Sequence, residues 1–138
     1  MKNASVVAKT VLQDQNGLIL LIRRSKTAPR RPLEWDLPGG FVEDGENFTD
    51  AAIRETEEEV GIKLSKDNLH LSYTYAANMK FGNVCWLFFV AKTKENKVQL
   101  SHEHDKYQWL SVKNALEIIE YKLHRDLLTY LKTNNLID

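Results

Sequence analysis

Three glutamates at helical spacing constrain this chain more than any other feature. Glu55, Glu58 and Glu59 stand at positions i, i+3 and i+4 within residues 40–62, whose sequence is GFVEDGENFTDAAIRETEEEVGI. In an α-helix this spacing places all three carboxylates on one face. Small and apolar residues at the remaining positions predict that another flank of the helix packs on a sheet. Polar residues over 46–50 predict where the helix begins, and Gly61 predicts where it ends.

Carboxylates that lie this close repel one another, at a cost of roughly 0.2–0.5 kcal/mol for each like-charge pair on a helix. A hard divalent cation offsets such a cost, because Mg²⁺ takes oxygen ligands and Mn²⁺ can substitute for it. The ordinary alternative is an acidic helix face exposed to solvent.

A wider pattern around the glutamates favours the cation. Its members follow at fixed intervals in residues 40–62, which we call the box: Gly40, Glu46, Arg54-Glu55, Glu58-Glu59, Gly61 and Ile62. The pattern resembles the signature of the Nudix hydrolases, and the preceding WDLPG at residues 35–39 is also similar to that family. One position departs, since Thr56 stands where the family prefers an aliphatic residue. We expect a weakened core contact there.

The resemblance implies a fold and an activity. The fold is an α/β/α sandwich with a mixed sheet between helices, and residues 1–138 are expected to form a single domain. The activity is divalent-metal-dependent hydrolysis of a diphosphate linkage in a nucleoside diphosphate derivative, with a nucleoside triphosphate as the first expectation. The alternatives are a dinucleoside polyphosphate hydrolase and a Nudix-fold module that senses a nucleotide without cleaving it.

The resemblance also assigns roles to individual residues. The expected metal ligands are three box carboxylates, one carbonyl oxygen and one carboxylate from a later loop: Glu55, Glu58, Glu59, Gly39 and Glu103. Asp105 is the alternative to Glu103. Glu58 is the first choice as general base and Glu55 the second. Arg54 is expected to hold a box glutamate in position, and Glu46 to brace the start of the helix.

A basic loop precedes the box and is a candidate phosphate contact. Arg23 and Arg24 are followed by Lys26, Arg30 and Arg31, and arginine suits bidentate contact with phosphate. A solvated connector is the alternative. Resemblance to the triphosphate hydrolases of the family favours Arg23 or Arg24.

Three further residues are expected to border the substrate. Trp35 is either a stacking surface for a base or a partly buried structural aromatic residue. Asn78 and Phe81 are expected at the edge of the pocket.

Charge and hydropathy exclude several other classes. The 19 basic residues equal the 19 acidic ones, so no basic excess predicts binding to duplex nucleic acid. No apolar run approaches the roughly 18 residues of a membrane span. We therefore expect a cytoplasmic protein that binds neither duplex nucleic acid nor a membrane. The resemblance implies a small nucleotide substrate as its partner, and a homodimer is the assembly considered.

The rest of the chain predicts the sheet and a second layer of helix. Residues 5–12 and 17–22 flank an Asn-Gly hairpin signal, and residues 69–80 and 84–94 form a second strand pair. A short strand is predicted over residues 98–100. Apolar residues at three- and four-residue spacing predict one amphipathic helix over residues 114–131.

Overall fold

The computed structural model describes residues 4–80 and 82–138 as seven strands and three α-helices. The strands are β1 (Ala4–Gln13), β2 (Ile19–Arg24), β3 (Trp35–Asp36), β4 (Gly39–Phe41), β5 (Leu69–Met79), β6 (Gly82–Lys92) and β7 (His104–Leu110). The helices are α1 (Phe48–Val60), α2 (Val112–Ile118) and α3 (Lys122–Thr133), and a short 3-10 turn, Lys66–Asn68, precedes β5.

The strands form one mixed sheet with β1 near its centre. β1 runs parallel to β6 over its whole length and antiparallel to β4, and β5 pairs antiparallel with β6 at the edge. The main path through the sheet is β3-β2-β1-β6-β5, with β7 on β2. The predicted α/β sandwich with a mixed sheet is confirmed.

The sheet divides into two arms beyond the first hairpin. β1 and β2 pair only at Gln13 and Ile19, although the Asn-Gly signal lies correctly in the turn. Beyond this pair, β3 joins β2 and β4 joins β1. Residues 35–41, from β3 to β4, therefore cross from one arm of the sheet to the other. They lie where the two arms separate.

Two hydrophobic cores lie on opposite faces of the sheet. β2 contributes to both because its side chains alternate: Ile19 and Leu21 pack in the core covered by α2 and α3, whereas Leu20 and Ile22 pack in the core covered by α1. All four are completely buried. The sheet is thus sandwiched between α1 on one face and α2 and α3 on the other.

The predicted ends of the box helix are confirmed. Asn47 caps the N-terminus of α1, since its side-chain oxygen accepts a hydrogen bond from Thr49 N at 2.8 Å. Gly61 ends the helix in the left-handed conformation with φ 75°, and its N–H donates to Glu57 O at 3.0 Å. Thr56 is completely buried, and its hydroxyl has no hydrogen-bond partner among the described residues.

The prediction of a single helix over residues 114–131 is wrong, because two helices, α2 and α3, lie there. Backbone at Ile119 and Tyr121 is extended, with ψ of 124° and 117°. Arg125 Nη1 donates to the carbonyl of Ile119 at 2.9 Å and stabilises the break. Both helices bury their apolar side chains in the same core, so the apolar spacing continues across the break and conceals it.

The strand predicted over residues 98–100 is also wrong. Gln99 N donates to Val60 O at 2.9 Å, and Ser101 N donates to Glu59 O at 3.1 Å. The backbone donors of this segment therefore pair with the C-terminal carbonyls of α1, which have no partner within the helix. Within the described residues, no helix has the length and apolar character that a bilayer span requires.

Candidate active site

Arg54 organises the carboxylates on the exposed face of α1. Its Nε and Nη2 donate to the two oxygens of Glu46 at 2.8 and 3.0 Å, and its Nη1 donates to Glu55 Oε1 at 3.0 Å. Glu58 Oε2 lies 3.4 Å from the same Nη1. Nη2 also donates to Phe41 O at 3.2 Å, which ties the helix to β4.

These contacts shift the pKa values of the residues in predictable directions. The hydrogen bond from Arg54 lowers the pKa of Glu46 to about 2, and the same contact raises the pKa of Arg54. Burial raises the pKa of Glu55 although Arg54 opposes it, and the charges of Glu58 and Glu103 raise it further. Burial is the largest of these effects on Glu55, and a bound cation would offset it by favouring the charged carboxylate.

Glu59 is the most buried of the box carboxylates, with 6% of its surface exposed. Its Oε1 accepts a hydrogen bond from Gly39 N at 2.6 Å, and its Oε2 lies 4.0 Å from His104 Nδ1. Burial raises the pKa of Glu59 to about 8, against the lowering effects of Lys9 and the Gly39 N–H. The carboxyl is therefore largely protonated at neutral pH unless a positive group joins it.

Two adjacent glycines allow β4 to lie against both β1 and α1. A Cβ on Gly39 would lie 2.2 Å from Ala8 O, and the φ of Gly39 is 148°. A Cβ on Gly40 would lie 2.6 Å from the Glu55 carboxyl carbon. Only glycine fits at both positions without displacing a neighbour.

A cleft of about 820 Å³ begins at these glycines and extends over the sheet toward α3. One end is lined by predicted site residues, Gly39, Gly40, Glu59 and Glu103. The rest is lined by basic residues from the end of β2 and the loop after it, and by aromatic residues of β4, of β6 and of the position before α3: Arg24, Arg30, Arg31, Phe41, Trp86 and Tyr121. Cationic and aromatic walls beside a carboxylate cluster suit a polyanion that carries a flat ring.

A completely buried aspartate lies in the wall of the cleft. Asp36 Oδ1 accepts from Lys9 Nζ at 2.9 Å, and Asp36 Oδ2 accepts from Arg24 Nη1 at 3.1 Å and Arg31 Nη2 at 3.5 Å. Burial alone would raise the pKa of Asp36, but Lys9, His124 and Arg31 hold it well below its usual range. Asp36 thus joins β1, β2 and the basic loop where the two arms of the sheet separate.

The predicted substrate contacts are distributed between the cleft and other surfaces. Arg24 lines the cleft, whereas Arg23 Nε and Nη2 both donate to Asp105 at 2.8 Å. A register shift between Arg23 and Arg24 in the pairing of β2 with β7 accompanies this divergence. Asp105, the alternative metal ligand, is thereby engaged by Arg23.

Trp35 and Asn78 do not line the cleft. Trp35 is partly buried and packs against the core under α2 and α3, which agrees with the structural alternative for this residue. Asn78 is exposed on β5. Phe81 lies outside the described residues. Glu103 is exposed at the cleft, immediately before β7.

Sequence reasoning missed four buried polar residues of the cleft wall: Lys9, Asp36, His104 and His124. Lys9 and Asp36 interrupt otherwise apolar strand segments, which is a signal for a buried polar pair. His124 interrupts the apolar spacing of α3 in the same way. Local sequence gives no indication of which partners such residues meet.

The donor set fits a divalent cation. It consists of hard oxygen atoms from Glu55, Glu58, Glu59, Glu103 and the Gly39 carbonyl, which are the ligands that Mg²⁺ and Mn²⁺ prefer. Burial raises the pKa values of Glu55 and Glu59, and a bound cation would favour the charged form of both carboxyls. Within residues 4–80 and 82–138, no three acidic, histidine or cysteine side chains already converge on one point. Arg54 instead holds the Glu55 and Glu58 oxygens.

A helix that presents a face of carboxylates, packed against the glycine-containing strand β4 of a mixed sheet, defines a Nudix-type site. The chain belongs to the NUDIX family, because the model of the NUDIX domain matches residues 1–131.

Its relatives include named hydrolases. The asymmetrical bis(5'-nucleosyl)-tetraphosphatase of Mus musculus is 33% identical over 92 residues, which cover 64% of this chain and 63% of that protein. The Caenorhabditis elegans protein of the same name is 36% identical over 95 residues, covering 65% of this chain and 67% of that protein. The chain thus spans slightly less than two thirds of the mouse relative.

Solved structures resemble nearly the whole chain. The MutT protein from Methanosarcina mazei has a TM-score of 0.85 at 25% identity and covers 97% of this chain and 96% of its own. A C. elegans Ap4A hydrolase binary complex has a TM-score of 0.78 at 28% identity, with coverage of 96% and 98%.

Proposed function

We propose that this protein is a divalent-metal-dependent hydrolase that cleaves a phosphoanhydride bond in a nucleoside polyphosphate. One observation carries the proposal: the buried Glu59 carboxyl, hydrogen-bonded to Gly39 N at 2.6 Å, lies at the end of a cleft whose other walls are cationic and aromatic. Family membership and the named hydrolases among the relatives support it.

The residues of the site have distinct roles in this proposal. Glu55, Glu58, Glu59, Glu103 and the Gly39 carbonyl would hold Mg²⁺, or Mn²⁺ in its place. The chemistry supplied by the bound ion is neutralisation of polyphosphate charge and a lowered pKa for the attacking water.

Glu58 is the general base in this proposal, with Glu55 as the second choice. The Glu58 side chain is 59% exposed, whereas that of Glu55 is 16% exposed and lies 3.0 Å from Arg54 Nη1. Glu58 is thus better placed to take a proton from an incoming water. Arg54 positions the carboxylates, and Glu46 fixes Arg54 through two hydrogen bonds.

Two substrate classes remain in the proposal. The names of the curated relatives favour a dinucleoside tetraphosphate, and the resemblance of the box to the triphosphate hydrolases of the family favours a nucleoside triphosphate. Arg24, Arg30 and Arg31 provide positive charge along the cleft for either polyphosphate chain.

A nucleotide panel with product identification tests the proposal. Nucleoside triphosphates, diadenosine tetraphosphate and ADP-ribose are incubated with the protein with and without Mg²⁺ or Mn²⁺. We expect metal-dependent release of phosphate or nucleotide products. Tight binding without product in every metal would contradict the proposal and favour a sensing module.

The variant Glu58→Gln tests the role of the box carboxylate. We expect turnover to fall by about 10²–10⁴-fold, as for loss of a general base, while the thermal unfolding temperature changes little. Glu57→Gln is the matched control, because Glu57 is exposed on the same helix and the substitution removes the same charge. Equal activity of the two variants would contradict the assignment.

A further inference from the structure

Lys9 lies directly opposite Gly39 where β1 pairs with β4. Its side chain is 10% exposed and lies in the space that a side chain at Gly39 would take, since a Cβ there would be 2.9 Å from Lys9 Cγ. Lys9 Nζ donates to Asp36 Oδ1 at 2.9 Å and to Leu37 O at 3.2 Å. A buried lysine of β1 is thus bonded to the segment that leads into the site.

The backbone between Asp36 and Gly39 is held by a series of hydrogen bonds. Asp36 Oδ1 accepts from Leu37 N at 2.7 Å, while Lys9 donates to the carbonyl of the same residue. The next carbonyl, Pro38 O, accepts from Thr10 N at 2.9 Å. Both polar backbone groups of Leu37 are therefore bonded to the Lys9–Asp36 pair.

This series of hydrogen bonds ends at two expected metal ligands. Gly39 N donates to Glu59 Oε1 at 2.6 Å, so the peptide of Gly39 and the carboxyl of Glu59 are joined directly. The direction of the Gly39 peptide depends on the residues that precede it, because each peptide unit is rigid and planar. The contacts of Lys9 thus fix the approach of β4 to the box helix.

A purely structural role does not require a lysine at this position. Side chains alternate along a strand, so Lys9 shares its face of β1 with Val7 and Val11, which both pack in the core under α2 and α3. Burying an ion pair is costly, and apolar side chains of similar volume often stabilise a fold as well or better. An apolar residue could not donate to Asp36 or Leu37, and these hydrogen bonds are what the lysine adds.

We propose that Lys9 is a positioning residue for the metal site, which orients the Gly39 carbonyl and the Glu59 carboxylate through the backbone of residues 36–39. The inference rests on the proposed function, because both groups are expected metal ligands there. Lys9 is not itself a ligand. It acts as residues around other metal sites do, by fixing the direction of the groups that bind the ion.

Manganese affinity in Lys9→Met tests this inference. Methionine has a similar length but donates no hydrogen bond, and Asp36 keeps Arg24 and Arg31 as ion-pair partners. We expect the dissociation constant for Mn²⁺, measured by calorimetry, to rise by about 10–100-fold. Lys9→Gln keeps a side-chain donor and should give an intermediate affinity, and it takes the place of the methionine variant if that variant does not fold.

Val11→Ala is the matched control for lost stability. Val11 is completely buried on the same face of the same strand, so its truncation destabilises the same core. We expect Val11→Ala to lower the thermal unfolding temperature while the folded protein keeps the Mn²⁺ affinity of the wild type. If Val11→Ala and Lys9→Met lose affinity equally, Lys9 acts only through stability and the inference is wrong.

Hydrogen exchange gives a second readout that requires no metal. The Gly39 amide donates to Glu59 Oε1, and its protection measures how firmly the two groups are held together. In Lys9→Met we expect this amide to lose protection relative to amides in the middle of β6. In Val11→Ala the protection of both should fall together, because the whole core is weakened.

The outcomes separate this inference from the proposed function. If the wild type binds Mn²⁺ and both Lys9 variants bind it equally tightly, the inference alone fails. Unchanged relative protection of the Gly39 amide in Lys9→Met would also overturn it. If the wild type does not bind Mn²⁺, the proposed function fails, and the inference fails with it.

Discussion

Burial and hydrogen bonding give Glu59 a different role from the other box glutamates. Glu58 is largely exposed on the same helix, whereas Glu59 points into the fold and contacts Gly39 N. Its neighbours act in opposite directions, since Lys9 lowers its pKa while Glu55 and Asp36 raise it. Desolvation is the largest effect, so the uncharged form predominates in the metal-free protein at neutral pH.

This shift predicts a specific pH dependence of stability. The pKa of Glu59 is raised from 4.5 to about 8 on folding, so between these values the folded state binds more protons than the unfolded state. The free energy of unfolding therefore falls as pH rises through this window. In a chelator, we expect the thermal stability of the wild type relative to Glu59→Gln to decrease from pH 4.5 to 8.

The matched control for this measurement is Glu57→Gln, the same substitution at an exposed position of α1. If the stability of the wild type relative to Glu59→Gln does not change with pH any more than it does relative to Glu57→Gln, the predicted shift of Glu59 is wrong. A saturating divalent cation should reduce the pH dependence, because it favours the charged carboxylate.

The sequence predicts some residues of the site and not others, for a physical reason. The face shared by Glu55, Glu58 and Glu59 follows from helical geometry alone. The contacts of Asp36 with Lys9, 27 residues earlier, and with His124 on the last helix depend on how the sheet and α3 assemble. Spacing carries no information about such distant contacts, so the buried polar residues of the cleft wall were not predicted, whereas Arg24 was.

At the scale of elements, β4 is the part of the site where neighbouring chain segments approach most closely around two glycines. It lies between β1 and α1, where Gly39 and Gly40 meet different neighbours. The obstacle at Gly39 is backbone, which cannot move without disrupting the β1–β4 pairing. The obstacle at Gly40 is the end of the Glu55 side chain, which can rotate.

Alanine at these two positions should therefore have different effects. We expect Gly39→Ala to destabilise the fold strongly, because its Cβ would lie 2.2 Å from Ala8 O at a φ of 148°. Gly40→Ala should fold but lose activity and metal affinity, because it displaces the Glu55 carboxylate. Thermal unfolding and metal titration measure the two effects.

Gly45→Ala is the control for the glycine variants. It has a φ of 77° but no atom within 4 Å of an added Cβ, so only the modest backbone strain applies, about 1 kcal/mol. If all three variants lose stability equally, contact with β1 and Glu55 is not the cause.

Elements were predicted well where their ends depend on local sequence. Asn47 and Gly61 mark the ends of α1 through hydrogen bonds within a few residues. The errors occurred where distant partners decide the structure. Gln99 pairs with the end of α1, and the break at Ile119 is held by Arg125.

The whole molecule depends on two cores that share one sheet. Leu20 and Leu21 are consecutive and completely buried, yet they belong to opposite cores. Each core is continuous with the sheet between them, so we expect the cores to unfold together.

Leu20→Ala and Leu21→Ala should each cost about 2–5 kcal/mol. Because the two side chains belong to opposite cores but share one strand, the double variant measures their coupling, and a departure from the sum of more than about 0.5 kcal/mol shows that the two faces are coupled. Chemical denaturation monitored by tryptophan fluorescence and circular dichroism should show one coincident transition in each single variant. Separate transitions would mean that the two faces are independent units.

The placement of α1 and α3 on opposite faces of the sheet bears on how this type of protein diversifies. The box carboxylates belong to α1, whereas Tyr121 and His124, in the far wall of the cleft, lie immediately before α3 and within it. In the proposed function, substitutions in this wall would change the shape of the cleft and leave the box unchanged. Among relatives at about one-third identity, such as the mouse protein at 33%, a matching box should be a poor guide to which nucleotide each one selects.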